Sequence, residues 1–96
     1  MIILQGVYRL GMNTDEMMQR DAALYAAIGH RLRVAAVDAR LTQARLAERA
    51  GVSVPTCGKH MRGSSITVGH LARYAAALGV HVTDLLPDAF DDLAAA

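Results

Sequence analysis

One stretch of this chain leaves little freedom in how it folds: LTQARLAERAGVSVPTCGKHMRG, Leu41 to Gly63. Thr42 opens a short helix over Gln43 to Ala50, because its hydroxyl can take up a backbone N–H that the first turn leaves unpaired. Leu46, Ala47 and Ala50 fall on one face of that helix. Gly51 ends it, since glycine adopts the left-handed conformation of a C-terminal cap without a Cβ clash. Val52 turns inward and Ser53 caps a second short helix, from Val54 or Pro55 to Arg62. Pro55 fits a first turn because its missing N–H would be unpaired there anyway. It also biases Val54 away from helical dihedrals, which makes Val54 the alternative cap. Gly58 inside this helix costs about 1 kcal/mol relative to alanine. Two short helices on either side of a glycine turn, joined through Leu46, Ala47, Val52 and Cys57, have the form of a helix-turn-helix unit. Such a unit lays its first helix across a DNA backbone and presents the second to base edges.

The neighbouring segments supply further helices and no strand pattern. Asn13 with Glu16 three residues on resembles a capping box, and Asp15 and Glu16 suit the positive end of a helix dipole. Leu24, Ile28, Leu32 and Ala36 recur every four residues, with Met17 upstream, as the buried stripe of a long helix that ends between Val37 and Arg40. Gly63, Ser64 and Ser65 form a loop. Thr67 caps the next helix, whose inner stripe reads Val68, Leu71, Ala72, Ala75 and Leu78, and Gly79 ends it. A last short helix near Val82 to Leu86 stops at Pro87. Apolar residues make up 53% of the chain, much of it alanine, the strongest helix former. The fold class expected is therefore all-α, a five-helix bundle over residues 13–87. Residues 88–96 form a short acidic tail carrying Phe90 and Leu93. Residues 1–12 do not match the rest, and three readings stay open for them: an arm, a segment exchanged with a partner, or a remnant ahead of a start at Met12.

Charge is distributed unevenly. The net value is +1, but His30 to Arg73 holds eight Lys/Arg against Asp38 and Glu48, a local charge of +6, while the flanks carry −5. A basic middle between acidic ends suits a polyanion, although the same charges can form a solvated coat. A single cysteine excludes an intrachain disulfide and fits a reducing compartment. No apolar run reaches the ~20 residues of a membrane span, and no basic segment precedes Ile2 to Leu4 as a signal peptide requires. The expectation is a soluble cytoplasmic protein without a membrane partner.

From about Ile28 to Pro87 the chain resembles the lambda-repressor-like, Cro/XRE-type helix-turn-helix domains of phage repressors and bacterial regulators. The residues that carry the resemblance are IGHRLRVAA, LTQARLAERAGVS, the closing RG of the second short helix and HLARYAAALGVHVTDLLP, in the family's order and spacing. The resemblance implies a five-helix bundle that binds double-stranded DNA in a sequence-specific way as a transcriptional regulator, of repressor type, and that acts as a homodimer on paired half-sites. Carried over by position, Thr42 and Gln43 would meet a backbone phosphate, and Ser53 would cap the second helix and touch phosphate. Val54, Pro55, Thr56 and Lys59 would face the groove. Arg62, Ser64 and Ser65 would line the sugar-phosphate backbone.

The departures are at the reading positions. Val54 and Pro55 stand where the family has polar residues such as glutamine or serine, and they can offer only apolar contact, as to a thymine methyl. Gly58 replaces a residue with a side chain, and Met61 stands where an acid is common. Direct readout then rests on Thr56 and Lys59, with phosphate contacts and DNA shape carrying more of the affinity. The same weak polarity makes a protein-interaction module, an antitoxin or adaptor gripping a protein partner, the alternative function. Cys57 and His60 lie three apart, with His30, His70 and His81 elsewhere, but a zinc site needs four converging ligands. Cys57 matches a core aliphatic position, and His60, His70, Met17, Met18 and Met61 read as packing residues. Neither a metal nor another cofactor is expected. Without a nucleophile–base pair, a glycine-rich phosphate loop or paired carboxylates in an apolar setting, the chain is not expected to be an enzyme.

Overall fold

A computed structural model describes residues 13–88. The expectations for residues 1–12 and for Phe90 and Leu93 lie outside the described residues. Four α-helices and one 3-10 turn follow in order: α1 (Thr14–Asp38), α2 (Gln43–Ala50), α3 (Val54–Met61), α4 (Val68–Leu78) and the 3-10 helix Val82–Leu85. The all-α class is as the sequence implies. The fifth helix is shorter than expected. Its backbone bonds run from Asp84 to His81 and from Leu86 to Thr83, three residues apart, and Pro87 two residues later stops any extension.

The cap residues are the ones the sequence names, although at Asn13 only one half of the expected capping box forms, without a return bond from the Glu16 side chain. Asn13 Oδ1 accepts the Glu16 N–H at 2.8 Å and Thr42 Oγ1 accepts that of Arg45 at 3.2 Å. Thr67 Oγ1 accepts the His70 N–H at 3.1 Å. Gly51 and Gly79 close α2 and α4 with φ of 72° and 70°. At α3 the cap is Ser53 rather than Val54: the Ser53 hydroxyl accepts the Thr56 N–H at 3.2 Å, and Val54 is the first helical residue. The cap bond outweighs the bias that Pro55 puts on its predecessor.

The core gathers Ile28, Leu32 and Ala36 of α1, Leu46, Ala47 and Ala50 of α2, Cys57 and Met61 of α3, Leu71, Tyr74 and Ala75 of α4, and Leu85. Two expectations need correction. The α1 stripe does not reach Met17. Residues 14–23 are exposed throughout, Met17 and Met18 by 38% and 64%, because among the described residues nothing packs beside this first part of the helix. In α4, Val68 is 77% exposed and Ala72 is exposed, while Tyr74 is fully buried. The buried face is Leu71, Tyr74, Ala75 and Leu78, also at i, i+3, i+4 and i+7, so periodicity alone admits both faces.

Tyr74 goes inward because a polar partner waits there. Its hydroxyl and His60 Nδ1 share a hydrogen bond of 2.6 Å, and the two rings meet edge to face. The His70 ring lies 5.0 Å from that of His60. Burial, with His70 nearby, holds the His60 imidazole below the usual histidine range, so it stays neutral inside. Burial likewise pushes the Cys57 thiol up, an effect that the nearby Tyr74 hydroxyl partly offsets, and raises the Tyr74 phenol. This small polar cluster ties the buried side of α3 to α4, and no buried side-chain nitrogen or oxygen among the described residues lacks a partner. Tyr74→Phe strips His60 Nδ1 of its partner at a buried site. A loss of about 1–3 kcal/mol of stability is expected, read as a fall in melting temperature of roughly 4–8 °C per kcal/mol. An unchanged thermal unfolding curve would show that the cluster contributes nothing.

Candidate nucleic-acid interface

Helices α2 and α3 meet through Leu46, Ala47 and Cys57, all fully buried. Small Ala47 permits the close crossing that brings the N-terminal ends of the two helices together on one side. The contact between those ends is explicit: Gln43 Nε2 donates to the Val54 carbonyl oxygen at 3.3 Å. At α2 the Gln43 and Ala44 N–H groups have no intrahelical partner, whereas at α3 Pro55 has no N–H and Ser53 takes up those of Thr56 and Cys57, which leaves the Val54 N–H; both dipoles present their positive pole. Adjacent helix N-termini with unpaired donors are a setting that favours anionic oxygen. The turn between the helices is held from α4, where Arg73 Nη1 donates to the Gly51 carbonyl at 3.4 Å.

The residues singled out in the sequence distribute themselves around this edge. Thr42, Gln43, Ser53, Pro55, Lys59, Arg62, Ser64 and Ser65 are exposed, and Val54 is 45% exposed. Thr42 and Ser53 spend their side-chain oxygens on capping. Ser53 also donates its proton to Thr56 Oγ1 at 2.7 Å. Thr56 is half-buried, so it is less available for readout than its spacing suggests. Val54 and Pro55 present apolar surface at the start of α3. Ser64 and Ser65 lie past the end of α3, where Ser64 N–H returns to the Lys59 carbonyl at 3.0 Å.

Gly58 has a role that spacing did not reveal. A Cβ built there would lie 2.9 Å from Gln43 Nε2 and 3.2 Å from Arg62 Nη1. The missing side chain leaves a trough on α3 into which the Gln43 amide and the Arg62 guanidinium both fold. The Gly58–Arg62 proximity was available from their i, i+4 spacing. The approach of Gln43 was not, because it depends on how α2 crosses α3. Among the described residues neither Lys59 nor Arg62 forms an ion pair with an acid, unlike Arg31, which pairs with Asp88, and Arg45, which pairs with Glu48. The edge therefore offers an amide, a guanidinium, an ammonium and two helix ends, and no carboxylate opposes them.

Metal chemistry has no comparable arrangement. Among the described residues, no three His, Cys, Asp or Glu side chains come together in a way that could hold a metal ion. No described helix is long and apolar enough to cross a membrane.

Gly58→Ala separates the site from the scaffold. The added methyl regains the roughly 1 kcal/mol of helix propensity that glycine loses. It also displaces the mobile ends of Gln43 and Arg62. The expected result is a melting temperature at or above that of the wild type together with duplex-DNA affinity reduced several-fold in fluorescence anisotropy. Undiminished affinity would remove the trough from the account.

Comparison with known proteins agrees with this geometry. A helix-turn-helix family model matches residues 32–85. None of the curated proteins compared matches the chain. Among solved structures, the restriction-modification controller protein C.AhdI from Aeromonas hydrophila superposes with a TM-score of 0.63 at 25% identity, over 65% of this chain and 96% of that one. The clp gene regulator ClgR from C. glutamicum superposes with a TM-score of 0.61 at 32% identity, over 64% of this chain and 80% of that one. With the family model spanning more than half of the sequence and the caps, turn and crossing all in place, the chain belongs to the Cro/C1-type, lambda-repressor-like helix-turn-helix family of DNA-binding transcriptional regulators.

Proposed function

We propose that this protein is a sequence-specific regulator of repressor type that binds double-stranded DNA as a homodimer, with α3 entering the major groove. The observation that carries the reading is the trough over Gly58, where Gln43 from the start of α2 and Arg62 from the end of α3 converge beside the paired helix ends. Placed against a duplex, Gln43 and the α2 amides meet one phosphate, and Arg62 and Lys59 reach the backbone or the floor of the groove. Val54 and Pro55 offer apolar contact, best suited to a thymine methyl. Affinity then rests on phosphates, and specificity on a few base contacts together with DNA shape. The two structural neighbours, a restriction-modification controller and a clp gene regulator by name, support a role in gene control. A cytoplasmic location and the absence of any cofactor belong to the same reading. The exposed Val54 and Pro55 favour a second one, in which this face grips a protein instead of DNA.

Selection from randomised duplexes, followed by anisotropy titration over a range of salt, tests the proposal. Binding should weaken linearly with the logarithm of salt concentration, because phosphate neutralisation releases counterions. Lys59→Ala and Arg62→Ala should each make that slope shallower by about one, the signature of one lost phosphate contact. No binding to any duplex at low salt would overturn the proposal and leave the protein-gripping reading.

A further inference from the structure

Helix α1 carries an exposed seam that none of the described elements covers. Val34 and Val37 are 45% and 74% exposed, and His30, also exposed, precedes them by one turn on the same face. Arg33 borders the seam on one side and Asp38 on the other. In the spacing of a coiled coil, Arg33, Val34, Val37 and Asp38 take positions g, a, d and e, and Ala27 and His30 take the preceding a and d. Neither Arg33 nor Asp38 forms an ion pair or side-chain hydrogen bond among the described residues. Arg31 nearby is engaged with the Asp84 carbonyl and with Asp88.

This charge pattern is complementary to itself. A twofold axis running along two parallel helices brings the g flank of each against the e flank of the other, which sets Arg33 opposite Asp38 twice. An antiparallel pair sets like flanks together, arginine against arginine. We infer that a second copy of this chain docks on this face, α1 beside α1 in parallel, with Val34 and Val37 meeting their counterparts at the axis and two Arg33–Asp38 pairs closing the flanks. The inference rests on the homodimer in the proposed function and names its surface. Two valines per copy bury far less than the roughly 1,200 Å² of a stable specific interface. The pair is therefore weak in free solution and is completed on DNA, where two adjacent half-sites raise the effective concentration of one copy for the other.

Cross-linking captures a weak pair. Val37→Cys places a thiol at a d position, where parallel in-register helices bring the two copies within disulfide reach. Cys57 is fully buried and gives a low background. The expected result is a disulfide-linked dimer under mild oxidation, formed at least about tenfold faster than with Ala76→Cys on the exposed side of α4. On the Val37→Cys background, Arg33→Asp or Asp38→Arg alone should slow linkage about tenfold, because each sets like charges face to face twice. A one-to-one mixture of the two variants should bring linkage back to about half the original rate at the same total concentration, because both flanks of the mixed pair are again complementary and random encounter makes about half of all pairs mixed. Linkage no faster than for Ala76→Cys, or no rescue in the mixture, would overturn this surface. Anisotropy on a duplex carrying two adjacent half-sites separates the two readings. Wild-type binding there with no Val37→Cys linkage refutes the surface alone, whereas no duplex binding refutes the DNA reading whatever links.

Discussion

The structure depends on a contact between bare backbones. Gly29 on α1 faces the C-terminal end of α3, and a Cβ at Gly29 would stand 2.7 Å from the His60 carbonyl oxygen and 2.8 Å from that of Met61. Those atoms are backbone and cannot swing aside as a side chain can. The opposing surface is bare as well: a Cβ at Gly63 would stand 3.1 Å from Ala26 Cα. Gly63 has φ of 96°, which favours glycine on its own account. Glycine on both sides lets α1 and the end of α3 approach closely, and that approach fixes the distance of α3 from the rest of the bundle.

With its C-terminal end held by α1, α3 is fixed on two further sides. Cys57 packs against Leu46 and Ala47 of α2, and His60 is tied to Tyr74 of α4. The remaining side, which carries Lys59 and Arg62 beside the trough of Gly58, is left uncovered by the other described elements. The two glycines in the middle of helices thus do opposite things. Gly29 allows backbone to meet backbone in the scaffold, while Gly58 gives side chains of the site a place to lie. A helix of eight residues is too short to hold its own shape in water, so its placement comes from these neighbours.

Much of this was legible in the sequence where a local rule applies. Thr42, Ser53 and Thr67 cap, Gly51 and Gly79 close helices, and Leu46, Ala47 and Cys57 pack, because each follows from its own few neighbours. The misreadings share a different origin. Val68 and Tyr74 lie on two candidate faces of α4, and only the polar partner supplied by His60 decides between them. Met17 continues the α1 stripe in period, but the bundle does not extend far enough to cover it. The last short helix stops before Pro87 as read, but as a 3-10 turn over Val82–Leu85 and not a fifth α-helix. Gly29 gives no local signal, because a mid-helix glycine has no signature of close approach until its neighbour is known. The candidate site follows the same division: its residues are nameable from their positions in a family pattern, while the convergence of Gln43 and Arg62 over Gly58 depends on the crossing of two helices.

Gly29→Ala is the most direct measurement of the central contact, because two effects predict opposite signs. Helix propensity alone favours alanine by about 1 kcal/mol. If the bare contact governs the placement of α3, the added methyl meets fixed carbonyls, and overpacking of this kind costs about 1–3 kcal/mol net. Chemical denaturation followed by circular dichroism should therefore show a variant less stable than the wild type. A variant equal to it in stability, or more stable, would contradict the claim that the approach of α1 to α3 at Gly29 holds α3 in place.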